Sequence, residues 1–203
     1  MLDKNCTDRY NIPMSSENRD RILDCALRLF AARGYAAVGV QEIVDEAAIT
    51  KPTLYHYFGS KLGLLEALLQ THLAQRDALL NPVLAYRGDL IHSLNQITLA
   101  LFRFARANPT FYRLYLALWF APPASEAFQT ASPYHLRLHS DFETLFAQAA
   151  NDHGNMRGRQ QAYAASFLGL VHTYIGLALN DYGELDDALA YQVVHQFMHG
   201  IFS

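Results

Sequence analysis

The chain has 203 residues, of which 51% are hydrophobic and 12% aromatic, as expected for a globular protein with one core or two. Its net charge of −3 argues against a broadly basic protein that coats nucleic acid without regard to sequence. No apolar run approaches the roughly 18 residues that a membrane-spanning helix needs, and the polar N-terminus lacks the apolar stretch of a secretion signal. We therefore expect a cytoplasmic protein.

The first third of the chain predicts four helices separated by short turns. Apolar residues at helical spacing place the first at about residues 17–33, and shorter helices follow at about 40–47 and 51–58. Thr50 is a favourable N-cap for the third helix, and a fourth helix is expected at about 61–80. Together these segments predict a compact helical unit at the N-terminal end.

The third predicted helix has one apolar side and one polar side. Leu54 and Phe58 are i, i+4 partners that should pack inward. Two lysines, one histidine and two tyrosines lie between Thr50 and Lys61, and no acidic residue does. This small polar surface favours binding to the edge of a DNA groove.

The rest of the chain is also predicted to be helical, with prolines marking helix starts. Asn108-Pro109 and Ser132-Pro133 each place a capping residue before a proline at the first helical position. Residues 121–131, which contain Pro122-Pro123, are predicted to form a loop. The predicted helices are 89–107, 109–120, 133–153, 157–182 and 185–202.

The N-terminal sequence resembles a known family. The segments RILDCALRLFAARGY and QEIVDEAAITKPTLYHYFGSKLGLL are similar, in order and spacing, to the DNA-binding signature of the TetR/AcrR family of transcriptional regulators. The resemblance implies an all-α protein of about nine helices. Residues 16–76 would form a three-helix DNA-binding domain with its helix-turn-helix at about 39–58, and residues 81–203 a helical bundle for dimerisation and effector binding.

The resemblance also implies a homodimer that places two recognition helices in successive major grooves of a near-palindromic operator. We expect lysine and tyrosine side chains to contact phosphates, and Thr53 and His56 to read base edges. Alternatively, Tyr55 or Tyr57 fills the small core and contacts no DNA. The predicted DNA-binding residues are Gln41, Thr50, Lys51, Pro52, Thr53, Tyr55, His56, Tyr57 and Lys61.

Three departures from the family pattern affect the second helix, and one of them, Val44 in place of the usual alanine, would space the two helices slightly further apart. Val38-Gly39 stand where the family usually has a Thr or Ser cap, whose loss costs about 1 kcal/mol. Ala48 stands where the turn normally has glycine, which implies strain on the order of 1 kcal/mol if the left-handed conformation is kept. These changes affect the expected contacts of the second helix, and not the fold.

Two sets of residues in the C-terminal two-thirds are candidates for contacts beyond the subunit. Small residues at helical spacing would let a partner helix approach closely in a dimer, although packing within one subunit is the alternative. They are Ala165, Gly169, Thr173 and Gly176. Aromatic residues could line a pocket for an aromatic or lipophilic effector, or could simply form core. They are Tyr112, Tyr115, Trp119, Phe146 and Phe167.

The sequence predicts no enzyme, metal site or cofactor. It has no nucleophile elbow, phosphate loop, dinucleotide fingerprint or HExxH motif. The pairs His135/His139 and His195/His199 have metal-binding spacing, but neither has an obvious third ligand, so surface or interface positions explain them better. Of the two cysteines, Cys25 lies on the apolar side of the first helix and is predicted to be a core thiol.

The function predicted from these observations is a ligand-responsive repressor that binds operator DNA as a homodimer and is released by a small molecule. One alternative is an activator, or a regulator without an effector. Another is an all-helical carrier of hydrophobic ligands whose N-terminal domain no longer binds DNA, which the substitutions at Val38, Gly39 and Ala48 would allow.

Overall fold

The computed structural model describes residues 14–200, and its regular secondary structure within that range is entirely helical, which confirms the predicted fold class. In this part of the chain nine α-helices follow one another, with a single 3-10 turn (Gly154–Met156) between the seventh and the eighth. They are α1 (Met14–Arg33), α2 (Val40–Glu46), α3 (Lys51–Phe58), α4 (Lys61–Leu80), α5 (Leu90–Ala107), α6 (Pro109–Trp119), α7 (Glu126–Asp152), α8 (Gln160–Ala178) and α9 (Asp187–His199).

Helices α1 to α4 begin and end within a few residues of their predicted positions. Gly34, with φ 81°, follows the end of α1 in a conformation that favours glycine. Ile22, Phe30 and Leu54 are fully buried where α1 and α3 meet the core. Cys25, on the same side of α1, is buried as predicted, whereas Cys6 lies outside the described residues.

Helix α4 connects the two ends of the protein. Its first half packs on α1 and α3, and it also contacts α5 and α7 of the C-terminal part. Leu64, Leu65, Leu68 and Leu69 are fully buried along it. At 20 residues the helix is about 30 Å long, which is enough to reach both the N-terminal helices and the C-terminal part.

The prediction of a loop at 121–131 and a helix starting at Pro133 is wrong. Helix α7 begins at Glu126, and Pro133 lies inside it. The Ser125 hydroxyl accepts the Phe128 amide at 3.2 Å and caps the helix seven residues before the cap predicted at Ser132.

Tertiary packing explains why α7 continues through a proline. An interior proline removes one helical hydrogen bond and costs about 3 kcal/mol. Against this cost, Ala127 and Ala131 in the first turns of α7 are buried, and the Phe128 ring lies 6.0 Å from that of Trp119. Continuing the helix keeps these side chains on one face against α6.

The last two helices are shorter than predicted. Helix α8 starts at Gln160, after Gly158 has adopted φ 76°, and ends before Asp181, which has φ 63°. The Asp186 carboxylate accepts the Leu189 amide at 2.7 Å and begins α9. The predicted continuation of this helix to residue 202 extends outside the described residues.

Candidate nucleic-acid interface

Helix α3 turns its apolar side to the protein and its polar side to solvent. Leu54 is fully buried, and Phe58 is half-buried with the Arg19 guanidinium 5.6 Å from its ring centroid. Tyr55 is 46% exposed, and Tyr57 is half-buried against the core. Of the predicted DNA-binding residues, those exposed to solvent are Gln41, Thr50, Lys51, Pro52, Tyr55 and His56.

The start of α3 is fixed by Thr50. Its hydroxyl oxygen accepts the Thr53 amide at 3.4 Å, as predicted for the N-cap, and lies 2.9 Å from the Thr53 hydroxyl. The Thr53 hydroxyl therefore already has a partner inside the protein. A contact between this hydroxyl and a base edge requires it to rotate or to share its hydrogen bond.

The turn before α3 keeps the left-handed conformation despite its alanine. Ala48 has φ 49°, and the Ile49 amide donates to the Val44 carbonyl at 3.0 Å. The Ala48 side chain is exposed and gains little from packing. The conformation on which the predicted strain depends is thus present, and the turn places α3 across α2.

Helix α2 begins without a side-chain cap, as expected from the glycine at position 39. The Gly39 amide instead donates to Glu42 Oε1 at 2.9 Å, and Glu42 also pairs with Arg33 of α1. The Gly39 amide and then Arg33 hold the pKa of Glu42 below its usual value. Val38, at 1% exposure, has become part of the core.

Lys61 has a structural role that the sequence did not indicate. Its ammonium donates to the Tyr35 carbonyl at 3.1 Å and to the Val38 carbonyl at 3.0 Å, and lies 4.2 Å from the centroid of the Tyr35 ring. These contacts tie the start of α4 to the loop between α1 and α2. They also compensate for a positive charge at a helix N-terminus. A phosphate contact by the same ammonium stays a prediction.

Gly63 is a second residue that sequence reasoning missed. A Cβ atom at this position would lie 2.0 Å from the Phe58 carbonyl oxygen and 3.2 Å from its carbonyl carbon. Only glycine therefore lets the first turn of α4 approach the last turn of α3 so closely. The available signal was a glycine inside an otherwise leucine-rich helix.

A family model described as "Bacterial regulatory proteins, tetR family" matches residues 22–68, which include this helix-turn-helix. Residues 22–68 therefore form a TetR-family segment of this chain. It is 37% identical over 98 residues to the HTH-type transcriptional activator FasR of Mycolicibacterium smegmatis, covering 48% of this chain and 45% of FasR. It is 33% identical over 93 residues to the transcriptional repressor KstR of the same organism, covering 46% of each chain. The aligned part is thus less than half the length of either relative.

The fold of this chain is shared by solved regulators over nearly its full length. The structure of FadR from Bacillus subtilis in complex with stearoyl-CoA superposes with a TM-score of 0.73 and covers 90% of this chain and 98% of its own. Sequence identity between the two is 18%, so this comparison supports the fold alone. The shared fold thus includes the C-terminal helices as well as residues 22–68.

The five aromatic residues predicted to line one pocket lie in two groups. In the first group, the ring centroids of Tyr112 and Tyr115 are 6.2 Å apart, and Trp119 lies at the end of the same helix. In the second group, Phe146 and Phe167 are 6.5 Å apart. Tyr112, Tyr115, Phe146 and Phe167 are all buried, and Trp119 is half-buried.

Tyr112 and Tyr115 of the first group belong to a polar cluster, which we call the interior polar cluster and define as Arg76, Tyr112, Tyr115, His135 and His172. Arg76, only 3% exposed, donates to the Tyr115 hydroxyl at 3.0 Å. The Tyr112 hydroxyl and His172 Nδ1 are 2.8 Å apart. These two contacts join α6 to α4 and to α8, and the imidazole of His135 on α7 stacks on the Tyr115 ring.

Burial sets the protonation states of this cluster. It lowers the pKa of His135 to about 3 and that of His172 to about 4, so both imidazoles are neutral at neutral pH. It raises the pKa of Tyr112 and of Tyr115, which keep their protons. Arg76 is the charged member, and its Nε and Nη2 atoms donate to Asp77 Oδ1 at 3.0 and 2.7 Å.

The second group borders a cavity of 800 Å³ between α5, α7, α8 and α9. Phe146 is the member of the predicted set that lines it, beside Tyr163 and Phe197. Polar side chains such as Ser166 and Gln196 also reach the cavity, and the Tyr174 hydroxyl donates to Gln196 Oε1 at 2.9 Å. This volume is within the range of small-molecule sites.

The predicted dimer stripe on α8 faces away from its own subunit. Ala165, Gly169 and Thr173 are exposed, and Gly176 is half-buried. A Cβ atom added at either glycine would meet nothing within 4 Å in the described chain. The glycines are therefore not explained by packing within one subunit, and the dimer interface stays a prediction.

The histidine pairs lie apart from any larger ligand set in the described residues. His195 and His199 are exposed on α9 with ring centroids 4.6 Å apart, and His139 is half-buried near Trp119. Between residues 14 and 200, no three His, Cys, Asp or Glu side chains are grouped so that they could hold a metal ion. None of the helices in the described range has the length and hydropathy to span a bilayer.

Proposed function

We propose that this chain is a transcriptional repressor that binds a near-palindromic operator as a homodimer and is released by a small lipophilic or aromatic effector. The observation that carries this proposal is the geometry of α3. Leu54 anchors the helix in the core, while Lys51 and His56 stand exposed on a surface whose segment, residues 50–61, has no acidic residue. The proposal places the protein in the cytoplasm, where it has access to DNA.

The similar proteins are transcriptional regulators, and they include both an activator and a repressor. FasR is an activator and KstR is a repressor, as their names state. We favour repression because a dimer can lose operator binding simply when its recognition helices move apart, whereas activation needs a further contact with the transcription machinery. The structure of FadR in complex with stearoyl-CoA supports a small-molecule effector for this chain as well.

The first experiment is selection of genomic fragments by the purified protein, followed by sequencing and a search for a palindrome. Enrichment of a palindromic site by a protein that sediments as a dimer would support the proposal. If no fragment is enriched, the carrier alternative is favoured instead. Binding of the selected site with and without cell extract then tests for an effector.

The roles within α3 can be separated on the selected site. Lys51→Ala should weaken binding to all sequences and reduce the salt slope by roughly 0.9 for each phosphate that is no longer neutralised, one per subunit. Thr53→Ala should change base preference with little change in the salt slope. Arg103→Ala, an exposed charge on α5, is the matched control and should change neither. Equal effects of Lys51→Ala and Arg103→Ala would contradict the assignment of α3.

A further inference from the structure

One hydrogen-bonding atom of the interior polar cluster is unused by the protein. His135 is 4% exposed, and its Nε2 atom is buried without a hydrogen-bond partner among the described residues. Buried polar atoms are nearly always paired, because water that is lost on folding must be replaced by another partner. An unpaired nitrogen in the middle of a helical domain therefore indicates a place for a molecule that supplies that partner.

The walls around this nitrogen are aromatic rings. The Tyr115 ring is stacked on the imidazole of His135 with centroids 3.8 Å apart, and the Trp119 ring is 4.7 Å away. The series continues outward through His139 and Phe128, each with its ring centroid 6.0 Å from that of Trp119. Trp119, His139 and Phe128 are half-buried, so this series of rings extends from the surface toward the imidazole of His135.

The charges of the cluster favour an uncharged ligand. Arg76 is the buried cation of this cluster, and its guanidinium is already held by Asp77 and by the Tyr115 hydroxyl. His135 is neutral, so a ligand carboxylate or phosphate would enter this interior without an unpaired cation to receive it. A single hydroxyl or carbonyl oxygen needs only one hydrogen bond.

We propose that the effector site contains His135 and Trp119 and takes a flat, uncharged aromatic molecule whose hydroxyl or carbonyl oxygen bonds to His135 Nε2 while its ring stacks on Trp119. This inference rests on the proposed function, since it names the effector class of the same regulator. It places the ligand between α6 and α7. The first turn of α7 carries Glu126, which accepts the Tyr35 hydroxyl from the DNA-binding end at 3.1 Å. A ligand that shifts α7 therefore acts directly on the part that holds α3.

The test uses 2-naphthol, naphthalene and 2-naphthoate as probes at neutral pH. Trp119 is the single tryptophan of the chain and reports binding through its fluorescence, while calorimetry gives the affinity. We expect 2-naphthol to bind one per subunit, naphthalene to bind about tenfold more weakly for want of one hydrogen bond, and 2-naphthoate to bind more weakly than 2-naphthol. The absence of 2-naphthol binding, or tighter binding of the charged probe, would overturn the inference.

Variants locate the site. His135→Phe keeps a stacking ring and removes the nitrogen, so it should reduce 2-naphthol affinity to that for naphthalene and leave naphthalene binding unchanged. Ser166→Leu, which fills part of the 800 Å³ cavity, is the control and should change neither affinity. The reverse pattern would place the ligand in that cavity and overturn the assignment. If His135→Phe does not fold, the order of the three probe affinities on the unaltered protein still tests whether the site takes an uncharged ligand with one hydrogen-bonding oxygen.

Operator binding measured on the same samples separates this inference from the proposed function. Protein that binds its palindrome but not 2-naphthol refutes the effector site alone. Protein that binds 2-naphthol through His135 but no DNA refutes the regulator and leaves the site in place. Release of the operator by 2-naphthol, abolished in His135→Phe, would support both.

Discussion

Replacing Ala48 by glycine should stabilise the helix-turn-helix. Ala48 has φ 49°, where an L-residue costs about 1–2 kcal/mol that glycine avoids. Glycine loses more conformational freedom on folding, which offsets about 0.5–1 kcal/mol of this. Since the alanine methyl is exposed and contributes little packing, the net gain should be about 0.5–1 kcal/mol in the free energy of unfolding.

Urea unfolding followed by circular dichroism measures this gain as a higher midpoint at an unchanged slope. Ala32→Gly is the matched control, because Ala32 is exposed in the last turns of α1 with ordinary helical geometry, and it should lose about 1 kcal/mol. Both substitutions replace alanine by glycine, but they are expected to change the free energy of unfolding in opposite directions. A decrease in stability in Ala48→Gly would show that the strain argument fails at this turn.

Three further predictions concern other named groups. Gly63→Ala should lower the free energy of unfolding by more than about 2 kcal/mol in the same urea assay, because its Cβ would meet the Phe58 carbonyl oxygen at 2.0 Å; no decrease would show that α4 moves away freely. Lys61→Met keeps the aliphatic stem but leaves two carbonyls without a donor, and should cost about 1–3 kcal/mol; an unchanged midpoint would mean that water replaces the ammonium. Burial lowers the pKa of His135 to about 3 and that of His172 to about 4, below the usual 6.5. Between pH 6.5 and these lowered pKa values the unfolded chain therefore binds more protons than the folded one. The free energy of unfolding should be full above pH 6.5 and fall as the pH drops toward 4. Thermal midpoints measured from pH 7 to pH 4 check this, and His135→Phe should flatten the decline, which an identical profile would contradict.

The helix-turn-helix could be predicted because its determinants are short-range. Thr50 and Ser60 cap helices by accepting amides three residues later, and the left-handed turn at Ala48 depends on the backbone nearby. Such contacts join residues that are close in the sequence, so the predicted bounds of α1 to α4 agree closely with the structure. What this segment did not reveal were contacts between elements, such as the Lys61 ammonium on the Tyr35 carbonyl.

The sequence by itself determined the all-helical fold and the polar face of α3, because periodicity, caps and turns act over a few residues. Only the tertiary structure decided that α7 continues through Pro133, since this depends on Ala127 and Ala131 being buried by a different part of the chain. It also separated the predicted pocket into two groups and made His135, which the sequence showed only as half of an i, i+4 pair, a buried residue whose Nε2 has no partner among the described residues. Helical spacing tells which face a side chain is on, but its neighbours across the interface, and hence its burial and hydrogen bonds, are fixed only when the helices pack.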